Sequence, residues 1–218
     1  MKAIVTGGCR GLGYAFTKYL ASLGYTVYAL YNTTKLKEEE NIIPLHCDIS
    51  NEMEIIDVLN KIGPIDLLIN NAALSLDNEY QDKTKEEFMK VLEVNVVGTF
   101  LMIKHSIKHL TKEGTIINIS SNNTLGNNSP LSMDYDASKA GINMITKNFS
   151  EILPQKVVAI CPGWINTEAV QEMNPEYLKE EMAKVNQKEL INPNSLVKKI
   201  LSELDTYQTG DIIEIKEL

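Results

Sequence analysis

The sequence predicts an α/β fold: one doubly wound parallel sheet, Rossmann-like, with helices on both faces. Three observations carry this. Apolar runs recur along the chain as short continuous stretches, the pattern of strands covered on both faces. Segments of helical period separate them, so strand and helix alternate from end to end. A glycine-rich stretch, Thr6-Gly7-Gly8-Cys9-Arg10-Gly11-Leu12-Gly13, joins the first strand to the first helix. In an open α/β sheet that turn lets backbone approach a pyrophosphate closely and aims free helix N–H groups at it.

The elements follow in order. Residues 3–6 read as the first strand and 13–23 as an amphipathic helix. Residues 27–31 are the second strand and 43–47 a short third. A helix over 52–62 leads to a fourth strand, Asp66-Leu67-Leu68-Ile69-Asn70, apolar enough to be buried on both faces. Residues 85–110 read as one long helix and 115–120 as the fifth strand. A helix over 136–152 precedes the sixth strand, 156–161. Helices over 175–185 and 195–204 lead to a closing strand, 211–215. No repeat, low-complexity tract or linker interrupts the series. One nucleotide-binding domain is therefore expected over 1–218, with a substrate-binding segment at about 164–192.

Bulk properties narrow the function. The chain has 218 residues, 44% of them hydrophobic, and a net charge of -8, with an isoelectric point near 5.0. An acidic chain with scattered basic residues is unsuited to nonspecific nucleic-acid binding. The start, Met1-Lys2-Ala3-Ile4-Val5, enters a strand directly and gives no secretory signal. No apolar run approaches the roughly 20 residues of a membrane span. The three cysteines, Cys9, Cys47 and Cys161, form no CxxC pair and read as reduced residues of a cytoplasmic protein.

The chemistry is concentrated in Tyr135-Asp136-Ala137-Ser138-Lys139, with Ser121 upstream. Tyrosine and lysine four apart share a helix face. A cation there favours phenolate over phenol, so Lys139 is expected to pull the Tyr135 pKa below its usual value of about 10. A phenol so tuned exchanges a proton with an alcohol or carbonyl oxygen. The glycine loop is spaced Gly-x-x-x-Gly-x-Gly rather than GxGxxG. The second strand ends in Tyr31-Asn32-Thr33-Thr34-Lys35, without the carboxylate that holds an NAD ribose hydroxyl. Asn32 and Thr33 can donate to a 2′-phosphate, and Arg10 or Lys35 can supply charge. NADP(H) is expected rather than NAD(H).

Taken together these residues resemble the short-chain dehydrogenase/reductase family in its single-domain form, over nearly the whole chain. The resemblance rests on Thr6-Gly7-x-x-x-Gly11-x-Gly13, Asp48-Ile49, Asn70-Asn71-Ala72, Asn95, Ser121, Tyr135-x-x-x-Lys139, Pro162-Gly163 and Thr167. Among members the chain is most similar to the 3-oxoacyl-[acyl-carrier-protein] reductase type. The resemblance implies that Tyr135 is the general acid of ketone reduction. Lys139 lowers its pKa and holds the nicotinamide ribose. Ser121 polarises the substrate carbonyl, and Asn95 holds a water that links Lys139 to solvent. Asp48 and Ile49 flank the adenine, and Asn71 and Ala72 line the adenosine and ribose. Gly7, Arg10, Gly11, Leu12 and Gly13 form the phosphate loop. Pro162, Gly163 and Thr167 border the nicotinamide and its phosphate. Arg10 before Gly11 is the pattern of NADP-preferring members.

The chain also departs from the family. Ala73 stands where glycine usually follows Asn-Asn-Ala. The Ser121-to-Tyr135 spacing is one residue longer than in the acyl-carrier-protein reductases. The ending, Asp211-Ile212-Ile213-Glu214-Ile215-Lys216-Glu217-Leu218, replaces a glycine-rich one that contributes to subunit contacts. A homodimer or homotetramer is expected, dimers forming through the helices at 85–110 and 136–152.

His105 and His109 sit four apart, but no third ligand accompanies them, and no metal site is expected. Trp164 begins the segment that varies with substrate. Met173, Tyr177, Leu178 and Met182 at helical spacing there form either a pocket wall or an ordinary inner helix face. The expected activity is NADP(H)-dependent reduction of a ketone, 3-oxoacyl or similar. The alternatives are an alcohol or sugar/polyol dehydrogenase and a non-catalytic, cofactor-binding regulatory protein.

Overall fold

A computed structural model describes all 218 residues, Met1–Leu218. Its centre is a seven-stranded sheet in the order β3-β2-β1-β4-β5-β6-β7, every pair parallel. The strands are β1 Lys2–Thr6, β2 Thr26–Tyr31, β3 Ile42–His46, β4 Ile65–Asn70, β5 Leu110–Ile119, β6 Lys156–Pro162 and β7 Ile212–Ile215. The helices are α1 Gly11–Ser22, α2 Glu52–Ile62, α3 Lys85–Leu92, α4 Thr99–Ser106, α5 Met133–Ile152, α6 Glu168–Gln171, α7 Pro175–Lys184 and α8 Pro193–Glu203.

The continuous apolar strands are explained by two cores, one on each face. Successive strand residues point to opposite faces. Ala3 and Val5, Leu67 and Ile69, and Val158 and Ile160 pack with Phe16 and Leu20 of α1 and Leu196 and Ile200 of α8. Residues of the opposite register, Ile4, Leu68 and Val157, pack with Ile55 and Leu59 of α2, Met102 of α4 and Phe149 of α5. The strand order reverses between β1 and β4, and a crevice opens there at the carboxyl ends of the strands. No helix is long and apolar enough to cross a membrane.

Two expectations are corrected. The helix predicted over 85–110 is not continuous: α3 passes into a π-helical turn, Glu93–Gly98, then α4, which ends at Ser106. The extra residue turns the Asn95 side chain inward, where it bonds the Leu74 backbone. Gly98 sits hard against Ile49, and a Cβ there would lie 2.9 Å from the Ile49 side chain. Strand β5 starts at Leu110, earlier than predicted, because Leu110 pairs with Ile65 across an irregular register.

Four α-helices are capped by side-chain oxygens: Asn51, Thr84, Asn174 and Asn192 cap α2, α3, α7 and α8. At α1 the cap position is Arg10, no side chain caps the helix and its first turn carries no acid. Its orphan N–H groups and positive dipole end face the crevice.

Candidate active site

The glycine loop owes its shape to particular contacts. Gly7 and Gly11 have φ of 62° and 52°, the left-handed region that glycine enters without cost. At Gly13 an added Cβ would run into the Gly7 carbonyl oxygen, so the loop folds directly onto the first turn of α1. Thr17 Oγ1 donates to the Gly8 carbonyl at 2.9 Å. Asn71 Nδ2 donates to the Thr6 carbonyl at 2.9 Å, and Thr6 Oγ1 accepts from the N–H groups of Asn71 and Ala72. Asn71 and Ala72 thus brace the loop. Ala73 lies outside the left-handed backbone region, so the missing glycine leaves no strain. Leu12 lines the catalytic cavity, and Gly11 faces the Thr167 side chain, which brings the loop to the start of the segment after β6.

The far end of the crevice suits a phosphorylated ribose. Arg10, Asn32, Thr33, Thr34 and Lys35 are exposed, and no carboxylate stands among residues 31–35. Burial raises the Asp48 pKa, but hydrogen bonds from Ser50, the charge of Lys90 and a bond from Asn32 outweigh it and hold the carboxyl below its ordinary value. Asn32 and Asp48 therefore meet where β2 and β3 end. Ile49, 6% exposed, belongs to the core beneath. An uncapped helix end, a left-handed glycine loop and cationic donors fit a dinucleotide with an additional phosphate.

A cavity of about 290 Å³ lies beside the loop, lined by Ser121, Tyr135, Lys139, Trp164, Met173 and Tyr177 among others. Of the expected apolar wall, Met173 and Tyr177 reach it, and Leu178 and Met182 do not. Ser120 Oγ donates to the Lys139 carbonyl, while Ser121 Oγ accepts the Asn123 N–H at 3.2 Å. Ser121 is thereby the serine with a hydrogen left to donate. Lys139 Nζ donates to the Ile119 carbonyl at 2.7 Å and lies 5.4 Å from the Tyr135 ring centroid.

The titration of this pair departs from expectation. Burial pushes the Tyr135 phenol above its ordinary value; Asp136 and Asp77 add to the rise and Ser121 pulls it back. The ammonium of Lys139 sits over the ring and is given to a backbone carbonyl, so the lowering expected from it does not hold in this structure. Burial pulls Lys139 itself down to about 8. The Asn95 side chain is held by protein. Its Nδ2 donates to the Leu74 carbonyl and to Ser138 Oγ, both at 2.9 Å, and its Oδ1 accepts the Leu74 N–H at 2.8 Å. Both amide hydrogens are engaged in tying α5 to the loop after β4.

Several site residues gave no signal in the sequence. Gln187 Oε1 accepts the Trp164 N–H at 2.8 Å, and its Nε2 donates to the Trp164 and Glu189 carbonyls. It closes the base of the 164–187 segment. Tyr177 Oη and Ser129 Oγ meet at 3.3 Å across the cavity mouth. Lys83 and Asp134 form a buried ion pair beside Tyr135. Such partners lie far apart in sequence, and neither type nor spacing marks them. His105, by contrast, simply meets Glu52 at 2.6 Å on the surface.

Comparison with known proteins agrees with this geometry. The short chain dehydrogenase family matches residues 1–178. Acetoacetyl-CoA reductase of Rhizobium meliloti (strain 1021) is 34% identical over 196 residues, covering 83% of this chain and 80% of that protein. The 3-oxoacyl-[acyl-carrier-protein] reductase FabG of Aquifex aeolicus (strain VF5) is 28% identical, covering 98% and 94%. Among solved structures, ligand-free aldohexose dehydrogenase of Thermoplasma acidophilum superposes with a TM-score of 0.86 at 20% identity, covering 98% of this chain and 91% of that one. BdcA in complex with NADPH gives 0.87 at 20% identity, with 98% and 92% covered. At those identities the structures speak for the fold.

Proposed function

The chain belongs to the short-chain dehydrogenase family and is an oxidoreductase acting on C=O or CH–OH; on that footing we propose that it is an NADP(H)-dependent ketone reductase of 3-oxoacyl thioesters or carbonyl compounds of similar shape. The observation that carries this is the convergence of Ser121, Tyr135 and Lys139 in one cavity beside the uncapped end of α1. The names of the acetoacetyl-CoA and 3-oxoacyl relatives support the substrate class.

When bound, the nicotinamide supplies a hydride to the carbonyl carbon. Ser121 donates a hydrogen bond to the carbonyl oxygen and stabilises the charge that develops there. Tyr135 gives that oxygen its proton, a task suited to a phenol held in its protonated form. Lys139, losing its proton near pH 8, can replenish Tyr135. Asn95 fixes α5 against the loop after β4 through Leu74 and Ser138. Arg10, Asn32, Thr33 and Lys35 receive the 2′-phosphate, with Gly7, Gly11 and Gly13 under the pyrophosphate. Asp48 and Ile49 take the adenine side, and Pro162, Gly163 and Thr167 the nicotinamide side. The whole chain acts as one nucleotide-binding domain, its segment at about 164–192 meeting the substrate. A cytoplasmic homodimer or homotetramer, without nucleic-acid or membrane partners, completes the reading.

A second reading, a hydroxylated substrate such as a polyol, is favoured by the polar wall of Ser75, Asp77, Asn123, Ser129 and Tyr177. Nicotinamide fluorescence with NADPH and NADH, followed by NADPH oxidation with acetoacetyl-CoA and with keto-sugars, separates the two. NADPH is expected to bind about tenfold or more tighter than NADH, the worth of one set of charge-assisted bonds. Binding of neither nucleotide would refute the proposal.

A further inference from the structure

Proton transfer uses neither charge of the Lys83–Asp134 pair, yet the two side chains are 4% and 0% exposed and meet at 2.7 Å. Drawing two charges out of water is costly, and apolar side chains of similar volume commonly fill such a place with no loss of stability. The contacts of the pair point to a different role. Lys83 Nζ also donates to the Leu76 carbonyl. Asp134 Oδ1 accepts the N–H of Tyr135 at 2.9 Å. The Asn78 N–H donates to the Leu131 carbonyl at 3.0 Å, a further tie between the same segments. The loop between β4 and α3, whose Ser75 and Asp77 line the cavity, is thus fastened to the first turn of α5 at the residue preceding Tyr135.

We propose that Lys83 and Asp134 are positioning residues: their ion pair locks the β4–α3 loop onto the first turn of α5 and so keeps the Tyr135 hydroxyl aimed at the reacting oxygen. The proposal rests on the reading of Tyr135 as proton donor. The pair is neutral overall, so its influence on Tyr135 is geometric. The groups facing the phenol are Asp77 on the loop, Asp136 and Lys139 on α5, and Cys161 on β6.

The test is the isosteric neutral variant Lys83→Met/Asp134→Asn, compared with the full-length wild type. Thermal midpoint and NADPH fluorescence are expected to change little. Tyrosinate absorbance, read as the difference from the matching Tyr135→Phe chain, needs no substrate. In the wild type the phenolate step should lie above 10, held up by burial, whereas in the variant it should move down toward 10, the value of a solvated phenol. With acetoacetyl-CoA and NADPH, kcat should fall roughly ten- to a hundredfold, the cost of a misplaced reacting group, with KM altered far less.

A variant whose Tyr135 titrates where the wild type's does and whose kcat stays within about twofold would overturn the proposal, since a pair that only stabilises the fold moves neither. If wild type leaves acetoacetyl-CoA untouched, the substrate reading fails while the titration still decides the role of the pair. Should the variant not fold, amide exchange on wild type decides. The Tyr135 N–H should be protected like that of Ile142 within α5, and exchange at the rate of a free first-turn amide overturns the lock.

Discussion

Lys139, proposed to replenish Tyr135, also bears on the stability of the fold. Burial drops its pKa from 10.5 to about 8, so the charged form costs folding free energy, roughly 3 kcal/mol at 1.36 kcal/mol per unit. The sign follows from proton counting: between those values the unfolded chain holds a proton that the native one has lost. Stability attributable to this group therefore rises with pH across that window. Urea midpoints of wild type and Lys139→Met at a series of pH values should show the variant ahead below about pH 8, with the gap closing toward 10.5. Tyr135→Phe should lower ketone reduction about 10²- to 10⁴-fold, the usual worth of a general acid, with NADPH fluorescence unchanged. These residues were legible in sequence because helix geometry puts i and i+4 on one face. Lys83 and Asp134 were not, because they stand 51 positions apart and a buried pair reads in sequence like any exposed lysine and aspartate.

At the scale of the element, the glycine loop and its helix behave as one unit. Gly13→Ala should push the Gly7 carbonyl off the helix, costing about 1–3 kcal/mol by overpacking. NADPH affinity should fall with the thermal midpoint; calorimetry and fluorescence on the same sample read both. The βα order, the strand ends and the glycine turn were all legible, because a two-sided core leaves continuous apolar runs. The break at Asn95 was not. Its flanking residues keep a helical period through the π turn, and only the Leu74 backbone reveals why the extra residue is accommodated. The early start of β5 was hidden for a related reason: Thr111, Lys112 and Glu113 are polar, and the strand's start is set by the pairing of Leu110 with Ile65 of β4 rather than by their own preference.

At the scale of the molecule, the helical layer holding α4 and α5 leaves apolar side chains uncovered. Phe100 and Met144 are 41% and 61% exposed, and Val97, on the π turn just before Phe100, is 44% exposed. A second copy covering this layer is the expected occupant, and sedimentation at micromolar concentration should give a dimer that Met144→Glu dissociates. The closing strand β7 pairs along β6 as an ordinary parallel edge, so its unusual composition is compatible with the sheet whatever its role between subunits. The clasp at Gln187 bears on the history of such a chain. Trp164 and Gln187 bond each other, and Ile165 bridges Ile191, so the two ends of the intervening segment are tied before its interior is reached. Residues 168–184 should therefore tolerate exchange: mutations there are expected to alter what the cavity admits more than they disturb the glycine loop. A chain with that stretch replaced by a glycine-serine tether should still fold and retain NADPH, which describes a scaffold able to explore new substrates without first losing its cofactor.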